Sequence, residues 1–116
     1  MIRKASEFKK EIVPELCGGK GDSVLMSAFS SDEIKSKVCF CGTVTLEKGC
    51  TVGLHQHTDN DEIYYILSGV GSVDEGTGVR KLVTAGDAIL TGDGAFHDMI
   101  NEADEPLVFL AIVINY

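Results

Sequence analysis

Several things are scarce in this 116-residue sequence, and each scarcity removes a class of explanation. Trp is absent and there are only two Pro, so the chain's turns fall to its 13 Gly and to Asp and Asn. Basic residues are outnumbered, 10 Lys+Arg against 18 Asp+Glu, for a formal charge of −8. They never gather beyond the pairs Arg3-Lys4, Lys9-Lys10 and Arg80-Lys81, which argues against nucleic-acid phosphates and anionic lipid headgroups as partners. Arg3 and Arg80 are the only arginines. A sugar phosphate or dicarboxylate clamped by several guanidiniums is therefore disfavoured, leaving Lys20, Lys48 or a bound metal to receive a carboxylate. No apolar run is long enough to cross a bilayer, and Met1–Lys10 lacks the apolar centre of a secretory signal, so the expected location is cytoplasmic. Low-complexity tracts and solenoid repeats are missing too. The Gly18-Gly19-Lys20-Gly21 turn lacks the ending of a phosphate-binding loop; a mobile flap carrying Lys20 toward a site is the alternative for it.

What remains is a folded chain with one core: 44% hydrophobic, 24% charged. Residues 1–23 are mixed and polar and read as an N-terminal arm, with a weakly helical or extended start at Ser6–Val13; residues 24–116 read as the domain. From Val24 the hydrophobic period is 2. Val38, Phe40, Gly42, Val44 and Leu46 alternate with Cys39, Cys41, Thr43 and Thr45, a long strand with one apolar face. Further strands are expected at Val24–Phe29, Thr51–His57, Glu62–Leu67, Val70–Asp74, Val79–Val83, Ala88–Leu90, His97–Ile100 and Leu107–Ile114, with turns such as Gly76-Thr77-Gly78 and Gly92-Asp93-Gly94 between them. Nine short strands with closely spaced turns predict an all-β jelly-roll barrel. The four cysteines are expected to be reduced. Cys39 and Cys41 read as small buried thiols; a Cys-x-Cys metal half-site completed by Cys50 or Cys17 is the alternative.

The chain has three histidines. His55 and His57, one residue apart, project to the same side of a strand. Glu62 follows beyond the polar turn Thr58–Asp61, and a hairpin there would lay its strand beside the first. His97 opens a strand 35 residues past Glu62. Three imidazoles and one carboxylate suit a divalent Mn, Fe, Co, Ni, Cu or Zn ion and suit Ca or Mg poorly. Four protein ligands on a six-coordinate ion leave two positions for water, dioxygen or a bidentate substrate. Singly, each of these histidines reads as a surface or core residue.

The glycines around them carry a resemblance. Gly49, His55, His57, Glu62 and Gly69, followed by Gly86, Gly92, Gly94, His97 and Asn101, match nine of ten positions of the two cupin motifs, and the 16-residue segment Val70–Ala85 between the motifs is the length of one hairpin. The departure is Gly92, where the cupin pattern has Pro; a glycine there permits positive φ and a looser loop. The resemblance implies a double-stranded β-helix barrel, metal ligation by His55, His57, Glu62 and His97, and a dimer. Gly49, Gly69 and Gly86 are expected at strand ends, Asn101 as a loop tie and Asp98 as a solvent-facing neighbour of His97. By parity with Glu62 and His97, Tyr64, Ile66 and Met99 point inward. Tyr64 is the candidate proton donor or substrate contact, with barrel filling as its plain alternative.

Three functions follow as expectations. The first is an enzyme of dioxygenase, decarboxylase or isomerase type, its metal holding a small oxygen-rich substrate. The second is a metal-dependent module that binds a sugar or carboxylate unchanged. The third is a barrel whose metal is only a stabilising clip. A homodimer is expected from the arm and from the open edges of a jelly-roll sheet.

Overall fold

Period-2 alternation is what assembles this chain. In the computed structural model, which describes residues 1–116, ten strands form: β1 Lys9–Pro14, β2 Asp22–Ser27, β3 Val38–Leu46, β4 Thr51–Gln56, β5 Asn60–Ser68, β6 Val70–Asp74, β7 Arg80–Thr84, β8 Ala88–Thr91, β9 Phe96–Ile100 and β10 Leu107–Asn115. They make two facing antiparallel sheets, one ordered β1-β2-β3-β10-β5-β8 and the other β4-β9-β6-β7. This is the predicted jelly roll. The inward residues of β3, Val44 and Leu46, meet Val52 of β4, Ile66 of β5, Met99 of β9 and Phe109 of β10 in one core. Tyr64, Ile66 and Met99 are all buried, as parity requires.

The first residues are more ordered than an arm. Lys9–Pro14 pairs with Asp22–Ser27 in full register, so the expected boundary at residue 23 falls inside β2. Exposure on most of its length hides β1 from pattern reading: Ile12 is 54% exposed, and an edge strand with little to bury shows no alternation. Between β1 and β2, the 3-10 turn Leu16–Gly18 packs on β4. A Cβ on Gly19 would collide with the Thr51 carbonyl, and one on Gly53 with the Cys17 carbonyl. Two glycines thus let two backbones touch. The Lys20 backbone also exchanges hydrogen bonds with Thr51, donating to its Oγ1 at 2.8 Å and accepting from its amide at 2.8 Å. The Gly18–Gly21 turn is pinned to β4, which speaks against the alternative of a mobile flap.

The thiols also differ from expectation. Cys17 and Cys39 are exposed, Cys41 and Cys50 half-buried, and all four are free. The cause is face assignment: Phe40, Gly42 and Val44 take the barrel side of β3, leaving Cys39 and Cys41 outside.

Candidate metal centre

The hairpin expected to join the two ligand strands is absent. β4 lies in the four-stranded sheet and β5 in the six-stranded one, so Glu62 faces the imidazoles across the barrel. The true neighbour of β4 is β9, with His55 directly opposite His97.

Parity alone would not bring His55 inward. Val52 is buried inside the barrel, and a regular strand would send residue 55 to the opposite face. The β4–β9 register shifts between Val52 and His55; this β-bulge absorbs one residue and turns both His55 and His57 to the interior. Gly53, at the bulge, is the residue that tolerates the neighbouring Cys17 carbonyl.

The donor atoms converge. His57 Nε2 lies 3.1 Å from His97 Nε2, which lies 3.0 Å from His55 Nε2. Glu62 Oε1 is 3.0 Å from His97 Nε2, 3.3 Å from His57 Nε2 and 3.9 Å from His55 Nε2. All four atoms sit within 4.8 Å of one another. Each imidazole is oriented from its other side. His55 Nδ1–H donates to the Gly53 carbonyl (2.7 Å), His57 Nδ1–H to Asn60 Oδ1 (2.5 Å) and His97 Nδ1–H to Thr91 Oγ1 (2.8 Å). That assignment leaves three Nε2 lone pairs aimed at a buried carboxylate oxygen, and Glu62 Oε1 has no hydrogen-bond donor. Four electron-rich atoms in mutual contact call for a cation among them. The buried cluster suits a divalent transition metal in its N3O donor set.

Electrostatics agree. Burial opposes ionisation of Glu62, but the neighbouring imidazoles of His55 and His97, which can take up a proton where no ion is bound, outweigh it and hold the carboxyl down at about 2. Burial likewise disfavours the His55 imidazolium, yet contacts with Cys17, Glu62 and the Gly53 carbonyl outweigh it and raise the group to about 10. His97 is pushed down, chiefly by burial. Tyr64 is raised well above the ordinary phenol range, first by burial and then by Glu62, so its hydroxyl keeps its proton. Its ring stacks on His97 at a centroid distance of 4.7 Å and packs against Phe109.

The spacing of the histidines does not reveal their partners Asn60, Thr91 and the Gly53 carbonyl, nor Leu16 and Cys17, which line the cavity beside the cluster. Only Asn60, three residues from His57 on a polar turn, carries a local signal. Other motif residues do as expected. Gly49, Gly69 and Gly86 adopt positive φ. Asn101 donates to the Leu46 and Glu105 carbonyls and accepts from the Ala103 amide. Asp98 does not face solvent: it is buried on the outer side of β9 and takes a bidentate pair from Arg80, with a further bond from the Asp74 amide. Gly92 is not at positive φ; Asp93 and Gly94 are. It is glycine because a Cβ would strike the Asp61 carboxylate, which accepts from Tyr116 Oη while that oxygen accepts from the Asp93 amide. The loop is tied, not loosened.

Comparison with known proteins extends these observations over the whole chain. The family model described as "Cupin domain" matches residues 42–113. An oxalate-binding protein of Thermotoga maritima is 34% identical over 114 residues, covering 98% of this chain and 93% of its own. The crystal structure of a predicted oxalate decarboxylase from Thermotoga maritima superposes with a TM-score of 0.93 at 33% identity, covering 100% of both chains. The polyketide cyclase RemF of Streptomyces resistomycificus shares the fold at a TM-score of 0.80 and 19% identity, over 99% of this chain and 85% of its own. Two motifs in sequence, two sheets in space and a relative matching nearly end to end make this chain a member of the cupin family.

Proposed function

We propose that the chain is a mononuclear metal enzyme in which His55, His57, Glu62 and His97 hold one divalent ion, Mn, Fe, Co, Ni, Cu or Zn, that binds a small oxygen chelate. The observation that carries this reading is the convergence of three Nε2 atoms and Glu62 Oε1, with every Nδ1 already occupied by its own acceptor. When bound, such an ion supplies a Lewis acid and open positions for substrate oxygens. The chain's own residues fix the three imidazoles, exclude water along an apolar wall, and keep a proton on Tyr64 Oη beside Glu62. Tyr64 is the proposed donor to a substrate oxygen. The oxalate-binding relative supports a small carboxylate or enol as ligand, with decarboxylation, dioxygenation and isomerisation as the admissible reactions.

The test is metal analysis of protein purified without chelators, followed by incubation of Mn-, Fe- and Zn-loaded protein with small carboxylates. One ion per chain, and consumption of a carboxylate, are expected. Turnover with Mn or Fe but not Zn marks a redox reaction; equal turnover with Zn excludes the oxygenase version. A ligand recovered unchanged with every metal favours the second reading, capture without conversion. That reading draws support from the cavity lining, where Tyr64 and Cys17 are the only titratable side chains besides the ligands.

A homodimer belongs to the same reading. The outer face of the six-stranded sheet presents Tyr65, Leu67 and Leu90, exposed by 44%, 46% and 68%. Light scattering is expected to give twice the chain mass, and Leu90→Lys to shift it toward the monomer.

A further inference from the structure

The cavity beside the donor cluster has a volume of about 230 Å³, room for roughly seven or eight waters at their liquid volume. On one side stand His55, His57 and Glu62. The rest of the wall is apolar, formed by Leu16, Leu25, Phe40, Val44, Val52 and Ala111, and the only other polar side chains are Cys17 and Tyr64. No Lys or Arg lines it. Both arginines are engaged elsewhere, Arg3 with Glu33 and Arg80 with Asp98 on the outside of the small sheet.

This lining sets a charge rule. A divalent ion with three neutral imidazoles and the Glu62 carboxylate carries a net charge of about +1. A singly charged chelate makes the cavity neutral. A doubly charged one leaves an excess negative charge against a hydrocarbon wall that holds no Lys or Arg, which is costly. We infer that the cavity selects a singly charged O,O-chelate with a short apolar tail, of the 2-oxo monocarboxylate kind, over a small dianion such as oxalate. The two chelating oxygens sit toward the donor cluster, and the tail lies on Phe40, Val44 and Ala111. This rests on the metal reading proposed above and narrows its ligand class.

The test is calorimetric titration of the Zn-loaded full-length chain with oxalate, pyruvate, 2-oxobutyrate and 2-oxopentanoate. Affinity is expected to rise about threefold to fourfold with each added CH2, and the best 2-oxo acid to bind at least about tenfold tighter than oxalate. A free divalent ion in water favours the dianion on charge alone, so the reversal would be the cavity's doing. Leu16→Lys, at a half-exposed position on the cavity rim, should move the preference back toward oxalate by about tenfold, with circular dichroism and zinc content unchanged. Oxalate binding tighter than every 2-oxo acid, or no gain along the tail series, overturns the inference and leaves the metal reading standing. Failure of the chain to take up zinc at all overturns both.

Discussion

His57 has its orientation set by a single side chain. Its Nδ1–H meets Asn60 Oδ1 at 2.5 Å, and no other acceptor holds that edge of the ring. Removing such a partner typically weakens metal binding 10–100-fold while leaving the donors in place. Asn60→Ala is therefore expected to weaken zinc binding by about that factor in a competition titration, and Asn60→Asp, which keeps the acceptor, to restore most of it. Protons compete with a metal at the same atoms. With protein groups alone, His55 is held up to about 10 and Glu62 down at about 2, so between those values the cluster carries a proton on His55 that a metal must displace. Uptake of zinc at pH 7–8 should release about one proton, read as acidification of a weakly buffered solution. The sign follows: apparent affinity should rise by up to about tenfold per pH unit as pH climbs toward the His55 value. A pH-independent affinity between 6.5 and 8.5 would contradict this protonation pattern.

At the scale of elements, what could be read beforehand was what alternation encodes. Val38–Leu46 and Val70–Asp74 form strands over the predicted residues, because a buried face forces the period of 2. Partnership between strands was hidden. β3 pairs with β10, and β5 lies between β10 and β8; these pairings close over long stretches of chain and leave no local mark. The four-residue cluster could be found from its residue types and glycine spacing; the bulge that turns His55 inward has one local mark, Gly53 in mid-strand, which suggests a bulge without saying which way the later residues turn. Gly92 illustrates the same limit. Its meaning lies in Asp61, distant in sequence, and not in its own φ. Restoring the family's proline by Gly92→Pro should therefore destabilise: the ring would displace the Asp61 carboxylate from Tyr116 and cost about 1 kcal/mol, a fall of roughly 4 °C in Tm. In an Asp61→Ala background most of that penalty should disappear, because the collision is gone. A rise in Tm on Gly92→Pro would mean that chain stiffening outweighs the contact.

For the whole molecule, the position of the donor cluster couples metal to fold. His55 and His97 lie on the small sheet, His57 follows one residue past the end of β4, and the carboxylate lies on the large sheet. A bound ion would therefore cross-link the two layers where no covalent bond joins them; all four cysteines are free. The ion adds its binding free energy only to the folded state, about 4 kcal/mol when free metal exceeds the dissociation constant a thousandfold. For a chain of this size that corresponds to roughly 15 °C in Tm. Scanning calorimetry of metal-loaded protein with and without a chelator should show that loss, and reloading with zinc should reverse it. Glu62→Gln separates cross-linking from mere occupancy: it removes the large sheet's charge while keeping the residue's size, so zinc should then stabilise by much less than in the native chain. An unchanged zinc-induced rise in the Glu62→Gln protein would place the stabilising bonds within the small sheet alone and reduce Glu62 to a bystander.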